Sequence, residues 1–567
     1  MNRRDFFSAL GAAGVVGHLG RYTTHAQHLG DFKVDSPELQ GSAHRAVWGR
    51  NGVVAAADQH ASLAGVRMLM KGGNAIDAIV AAAAALNVAE PSMSGMGGFG
   101  GYMVVYLAAE RKVVALDMMG LSSSAATADK FTEQDFDEGY KAPVVPGTIG
   151  GWAEALSRYG TMSLGDVFEP AIELAERGFV VTKYDALSFA AEANKLKKFP
   201  TTARIFFPDG KPPREGQVVK QPDLARSFRR IAIEGVDAFY HGELGEEIVA
   251  FLQQNGGLLN KQDFASFQPR WREPIQTTFK GHTLYGMGPG SCEMTMFQVL
   301  NIMEGFDLES MTPYSSQFAH LWLEAVKLAF LDDDRYNTGK DVDIPVSRLI
   351  SKEYASQQRS KIRPTNVSAF PGLPLPTVGT TSLSAADRWG NVVAFTQSLV
   401  SSFGSGVIAG NTGIFLNNGH RFGFTLERNH VNAVVGGAHP KGVMCPTIVM
   451  RGDRVLMGIG AAGGYTIPQT VGQSIVKVLL YGMDIQQAIA SPRMLVNRGA
   501  RVPVGNEAET YVEPGFPRNV ADELKALGHR LTNPGNAGAV QGVYVDTESG
   551  TLAGASDPRR DGHPIAF

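Results

Sequence analysis

Cysteine is nearly absent from this chain: Cys292 and Cys445 are the only two among 567 residues. That excludes a disulfide scaffold, and their separation excludes the paired spacing a zinc site needs. Stability must come from packing; the two thiols read as buried and unpaired, with a bridge in an oxidising compartment as the alternative. Charge of one sign is lacking too. The 52 Lys+Arg stand against 55 Asp+Glu, so no basic field exists to hold a nucleic-acid backbone. The weakly apolar stretch near the N-terminus contains His18 and falls well short of the roughly 20 residues of a membrane span. A dinucleotide cradle is also missing. Gly95 to Gly100 matches GxGxxG, but it follows a helical pattern and precedes a strand (Tyr102 to Leu107), the reverse of what that motif requires. No metal or organic cofactor is implied.

What is present begins with glycine, 66 residues of 567, above the usual share of about 7% and without a collagen period, so many tight turns are expected. A hydrophobic share of 44% with 19% charged residues fits a folded globular protein. Length alone suggests three or four domains. The N-terminus carries Arg3-Arg4, then Phe6-Phe7 and a short apolar stretch ending near Thr24-His25-Ala26. It reads as a twin-arginine export signal spanning 1–26, which predicts a periplasmic or secreted protein.

Along the chain, Val53 to Val88 is alanine-rich with helical spacing and is broken by Gly72-Gly73, predicting two helices around a glycine turn. Further helices are expected at Gly151 to Tyr159, Leu164 to Arg177, Leu224 to Ile233 and Leu244 to Gln254. Another runs from Phe318 to Ala329, capped by Ser315-Ser316. Asp332-Asp333-Asp334 reads as a solvated loop after that helix, with a hard-cation site as the alternative. Residues 362–378 are proline-rich and aperiodic, an exposed and cleavable loop.

Immediately afterwards Thr380 to Ala386 alternates, Asp387 to Asn391 is a turn cluster, and Val392 to Ser398 forms a second strand. A hairpin centred on Trp389 sets Ala386 against Val392 and Thr380 against Ser398, so that two hydroxyls meet. A flexible loop, then Gly379, then a threonine opening a strand suits autocatalytic cleavage. Gly379 tolerates strained dihedrals, so the Thr380 hydroxyl can attack the preceding carbonyl. The freed α-amine of Thr380 then serves as base for its own hydroxyl, because such amines titrate near 7.7–8.0.

Seven ordered motifs give this reading a context: KGGNAIDA (71–78), PSMSGMGGFGG (91–101), VPGTIGGW (145–152), TTSLSAADRWGN (380–391), FGSGVIAGNTGIFLNN (403–418), GAAGG (460–464) and GASDPRRDG (554–562). Through them the chain resembles the γ-glutamyltransferase family of N-terminal-nucleophile hydrolases. The resemblance implies an α+β fold, a four-layer αββα sandwich made as one precursor and cut into two subunits. The cut would fall between Gly379 and Thr380, leaving a large subunit (27–379) and a small one (380–567) as a heterodimer. It further implies Thr380 as nucleophile, Ser398 as its hydroxyl partner, and Gly463 and Gly464 as the oxyanion hole, whose donors stabilise the tetrahedral intermediate.

The resemblance breaks at the substrate. The family's arginine for the α-carboxylate falls on Met119, and its asparagine after the Ser398 position is Val400. The acidic run after Asn417-Asn418 is Gly419-His420-Arg421-Phe422, and the serine pair is Gly442-Val443. A zwitterionic γ-glutamyl head left unpaired in such a pocket costs several kcal/mol. The expected substrate is therefore a small-molecule amide whose acyl group lacks the α-ammonium, perceived by Asn418, His420 and Arg421, with the last two able to receive a carboxylate. Branches of the family that hydrolyse oxamate or act as acylases look more similar than the glutathione branch. A glutathione hydrolase or γ-glutamyltransferase, and a catalytically silent binding protein on the same scaffold, remain the alternatives.

Overall fold

A computed structural model describes residues 45–368, 379–497, 509–533 and 537–567. The export-signal expectation and the proline-rich part of the loop before Gly379 (369–378) lie outside the described residues. Fourteen strands form two large sheets: β1 (Val47–Gly49), β2 (Gly52–Ala56), β3 (Gly100–Leu107), β4 (Lys112–Asp117), β5 (Arg270–Arg272), β6 (Ile275–Phe279), β7 (His282–Gly286), β8 (Gly379–Asp387), β9 (Val392–Val400), β10 (Thr447–Arg451), β11 (Arg454–Ala462), β12 (Ala539–Val545), β13 (Leu552–Ser556) and β14 (Ile565–Ala566). One sheet has the order β14-β2-β8-β9-β3-β4-β5 and the other β1-β13-β12-β11-β10-β7-β6. Residues on either side of the Gly379–Thr380 bond supply strands to both sheets, so neither part completes a sandwich alone.

Side-chain alternation sorts the layers, because successive residues of a strand point to opposite faces. From β9, Val393, Phe395 and Leu399 join the core shared with the helices α1 (Gln59–Met70) and α2 (Ala75–Ala89). Val392 and Ala394 of the same strand pack between the sheets with Ile448, Met450 and Val455. Beyond the second sheet, Met457, Ile459 and Ala461 of β11 meet Phe297, Leu300 and Trp322 from the helices α3 (Glu293–Glu304) and α4 (Ser316–Tyr336). The result is helix, sheet, sheet, helix. Strands buried on both faces need apolar runs and not a one-sided pattern, which is why Val392 to Val400 is buried throughout.

Two local expectations are corrected. Val53 to Ala56, placed in a helical run, is strand β2, paired with Ala386 to Leu383 of β8. Ser315 does cap α4, but α4 continues to Tyr336, so Asp332 to Asp334 are helical. Asp332 and Asp333 are buried. Asp333 accepts from Lys441 Nζ at 2.7 Å and Asn337 Nδ2 at 2.8 Å, and Asp332 from Tyr354 and Gln298. These side-chain donors bond both buried carboxylates. Cys292 and Cys445 are both buried and form no disulfide. Among the described residues no helix is long and apolar enough to cross a membrane.

Candidate active site

The β8–β9 hairpin is held by Asp387. Its carboxylate accepts from the Trp389 and Asn391 backbone, from the Asn391 side chain, and from Ala75 N at the start of α2. The turn is thereby closed and tied to a helix. From there the register runs Ala386 to Val392, Leu383 to Phe395 and Thr381 to Gln397. A bulge then shifts it by one, so that Gly379 faces Val400. The inward face of the hairpin ends in two rungs of hydroxyls. Ser382 Oγ and Thr396 Oγ1 are 3.2 Å apart, and Thr380 Oγ1 and Ser398 Oγ are 3.1 Å apart.

Ser398 does more than touch Thr380. Its hydroxyl donates to the Gly379 carbonyl oxygen, the acyl group that Thr380 would attack. Val400 N donates back to Ser398 Oγ at 2.8 Å. One side chain thus bonds both the Gly379 carbonyl and the Thr380 hydroxyl. Gly379 is required for a reason other than the one expected. It does not have positive φ; a Cβ there would stand 2.9 Å from the backbone of Ser401 and Ser402. Positive φ occurs across the strand, at Val400 (φ 87), where a β-branched residue is a steric outlier.

The glycine pair lies at the same end of the sandwich. Gly458 packs against Val392, and Gly460 against Ser382 and Thr396, so β11 runs toward the hydroxyl end of the hairpin. It ends at Gly463 and Gly464, after which a short 3-10 turn leads into helix α5 (Ile467–Leu479). Gly463 has φ 131, and a Cβ on it would meet Thr466 Oγ1 at 2.4 Å. Thr466 Oγ1 donates to Gly463 O at 2.9 Å, locking the turn.

The residues expected to bind substrate have local partners. Asn418 accepts from Ser401 N at 2.9 Å and donates to Asp137 O and Ser401 Oγ, stitching the chain after β9. His420 sits among Phe131, Phe136 and Phe424, with ring centroids 4.8 to 5.6 Å apart. Its Nδ1 donates to Ala142 O at 2.9 Å. Burial pushes its pKa down to about 4, so the ring is neutral at neutral pH. Arg421 Nε lies 2.7 Å from Asp137 Oδ1. Neither is presented as an unpaired cation. Met119 is buried, and its carbonyl accepts from His439 Nδ1 at 3.0 Å.

Sequence reasoning missed two groups at Thr380. Arg560 Nη1 donates to Thr380 O at 3.0 Å, and Glu90 lies 3.7 Å from Arg560. Arg560 belongs to the quoted segment 554–562 and so was marked by motif but not by role, whereas Glu90 lies just outside the segment 91–101. Burial raises the Glu90 carboxyl to about 8 despite Arg560 and Thr381. The loop bearing Arg560 is anchored by Asp557. That carboxylate bonds Arg493, the Val540 N–H and Arg559. Burial opposes its charge, but Arg493 and Arg559 outweigh that and hold its pKa below the ordinary carboxylate value.

A family model described as "Gamma-glutamyltranspeptidase" matches residues 61–567. The chain is 36% identical over 539 residues to "Acylase ACY 1 proenzyme" of Pseudomonas sp. (strain SE83), covering 92% of this chain and 94% of that one. It is 32% identical over 558 residues to "Glutathione hydrolase proenzyme" of Bacillus subtilis (strain 168), covering 92% of each. Among solved structures, the cephalosporin acylase from Bacillus halodurans superposes with a TM-score of 0.85 at 32% identity, over 93% of this chain and 97% of that one.

Proposed function

The chain belongs to the gamma-glutamyltranspeptidase family of amide-cleaving hydrolases, and from that premise we propose that it is a self-cleaving amide hydrolase working through a Thr380 acyl-enzyme on a non-γ-glutamyl acyl group. One observation carries the proposal: Ser398 joins the Thr380 hydroxyl to the Gly379 carbonyl. In processing, Thr380 Oγ attacks the Gly379 carbonyl carbon and the peptide C–N bond breaks. The proton from Oγ passes to the nitrogen, which becomes the free α-amine, and water hydrolyses the resulting ester. That amine then takes the Oγ proton during attack on a substrate amide, and delivers it to the departing amine. The N–H groups of Gly463 and Gly464 receive the oxyanion. A water molecule releases the acyl group as acid.

The non-γ-glutamyl assignment rests on Met119, Val400 and Gly442-Val443, which leave no cation or hydroxyl pair for an α-carboxylate, and on a neutral His420. An anionic acyl group would have to exchange Asp137 for itself on Arg421, so a neutral acyl chain is the simpler occupant. Glutathione hydrolysis is the second reading, favoured by the similarity to a relative so named. Export, with the processed pair residing outside the cytoplasm, is the accompanying proposal from Arg3-Arg4. The test is a denaturing gel of purified protein with a γ-glutamyl and an aliphatic acyl p-nitroanilide assayed in parallel. Expected are two chains, abolished by Thr380→Ala, and release of p-nitroaniline from the aliphatic substrate in preference to the γ-glutamyl one. A single uncleaved chain overturns the nucleophile, and preference for the γ-glutamyl amide overturns the pocket.

A further inference from the structure

Two buried imidazoles, His320 and His529, meet outside the site described above. His320 is on α4, and Glu324 stands one turn further along the same face of that helix. His529 follows the helix α6 (Arg518–Ala526), whose Val520 and Leu524 join the core that holds Leu321 and Ala325 of α4. Gly528, at φ 99, turns the chain after α6, and His529 N donates back to Leu524 O at 2.9 Å. Glycine ends a helix this way without a Cβ penalty, and the turn brings His529 against α4. One nitrogen from each histidine and an oxygen of Glu324 all lie within 4.8 Å of one another. None of the three residues is more than 4% exposed.

Hydrogen bonding places the protons. His320 Nε2 is 2.7 Å from Arg363 O, and a carbonyl only accepts, so Nε2 carries the proton and Nδ1 of the neutral ring is a lone pair. His529 Nε2, 2.8 Å from that lone pair, is then the donor. This leaves His529 Nδ1 a second lone pair, buried and without a hydrogen-bond partner among the described residues. Buried polar atoms are seldom left so. Burial, with Lys327 and His320 adding to it, holds the His529 pKa down at about 3, so the ring is neutral at neutral pH. An imidazole that gives its far N–H to a backbone carbonyl, as His320 does, is oriented in the way of a metal ligand. Glu324 accepts from Lys327 Nζ at 2.7 Å and, through its other oxygen, from Ser368 N at 2.8 Å.

We propose that His320, Glu324 and His529 form a site for a zinc ion, which links the part of the chain before the Gly379–Thr380 bond to the part after it. Two imidazoles and one carboxylate suit zinc, whereas calcium and magnesium take oxygen ligands. On binding, the ion takes the place of the proton between the two rings. That proton passes from His529 Nε2 to the unpartnered Nδ1 of the same ring, so both histidines bind neutral. The two facing nitrogens must part from 2.8 Å to about 3.3 Å, the separation set by Zn–N bonds of about 2.0–2.1 Å at tetrahedral angles. The Lys327 ammonium competes with the ion for Glu324. The site itself does not require cleavage; only its role as a link between two chains rests on the reading of the protein as self-cleaving.

The test is calorimetric titration of zinc chloride alone into the purified protein after a chelator has stripped it of metal. One equivalent of zinc per molecule is expected, with affinity about tenfold or more weaker in His529→Gln and in Glu324→Gln. Absence of stoichiometric binding overturns the site, and so does unchanged affinity in either variant, since other groups would then hold the zinc. Should both variants fail to fold, Lys327→Met takes their place: removing the competing cation is expected to tighten binding severalfold, and unchanged or weaker binding overturns the site. In the cleaved protein, saturating zinc should raise the urea concentration at which the two chains separate on gel filtration; an unmoved midpoint overturns the link. The two readings fail differently. A wild-type chain that stays uncleaved yet binds zinc refutes self-cleavage alone, whereas a cleaved protein that binds none refutes only the site.

Discussion

Val400, with φ at 87°, stands directly across the hairpin from Gly379, the residue whose carbonyl we propose is attacked. A β-branched side chain held there stores about 1–3 kcal/mol of backbone strain. The strain persists because Val400 is buried between the sheets and its N–H is needed by Ser398. Val400→Gly would relieve it while deleting a buried side chain, two effects that nearly offset. In an uncleavable Thr380→Ala background, Val400→Gly should cost less than about 1 kcal/mol in urea denaturation. Val393→Gly, in regular extended backbone of the same strand, should cost about 3 kcal/mol. With Thr380 present, Val400→Gly should self-cleave severalfold more slowly, followed by gel densitometry; equal losses for the two variants would refute strain at Val400.

Ser398→Ala removes the donor on the Gly379 carbonyl and the partner of the Thr380 hydroxyl together. Hydrogen bonds to a carbonyl developing charge contribute about 1.5–3 kcal/mol, so the cleavage half-time should lengthen by about 10- to 100-fold. Ser398→Thr, which restores the hydroxyl, should recover most of that rate. The same gel time course measures both, and wild-type speed in Ser398→Ala would remove Ser398 from the mechanism.

The hairpin was legible because its determinants are local. Alternation and the Asp387–Asn391 turn placed Ala386 opposite Val392 and continued correctly to Thr381 opposite Gln397. The expected meeting of the Thr380 and Ser398 hydroxyls is present, but the bulge that sets Gly379 opposite Val400 inserts a residue that no alternation reveals. Distant partners were invisible for the same reason. Asp333 read as solvated because Lys441, which neutralises it, lies 108 residues away. His420 and Arg421 advertised charge, yet Phe131, Phe136 and Asp137, which enclose and pair them, come from a remote segment. Arg560 reaches Thr380 across 180 residues, and only the fold of the GASDPRRDG loop around Asp557 brings it there.

Gly463→Ala tests the oxyanion turn. An alanine would be strained at φ 131, and its Cβ would collide with Thr466 Oγ1. The turn must shift, displacing the N–H groups proposed to receive the oxyanion. Turnover of the processed enzyme should fall by about 10²- to 10³-fold, the loss typical of one oxyanion donor, while KM for the same acyl anilide changes little. A large KM increase with preserved kcat would place Gly463 in binding and not in transition-state stabilisation.

Glu90 makes stability depend on pH in a definable direction. Its folded pKa of about 8 lies above the ordinary value of about 4.3, so the folded chain holds the proton more tightly than the unfolded one. Stability from this group is full at the acid end, declines as pH rises from about 4.3 toward 8, and levels off beyond. Asp185, raised to about 7, and Glu293, raised to about 8, act in the same sense, so Glu90→Gln should flatten the decline without abolishing it. The measurement is the urea midpoint of the Thr380→Ala chain, with and without Glu90→Gln, at pH 5, 6.5 and 8. The midpoint difference between the two chains should shift in favour of Glu90→Gln as pH rises. Parallel profiles would mean that Glu90 is already ionised beside Arg560.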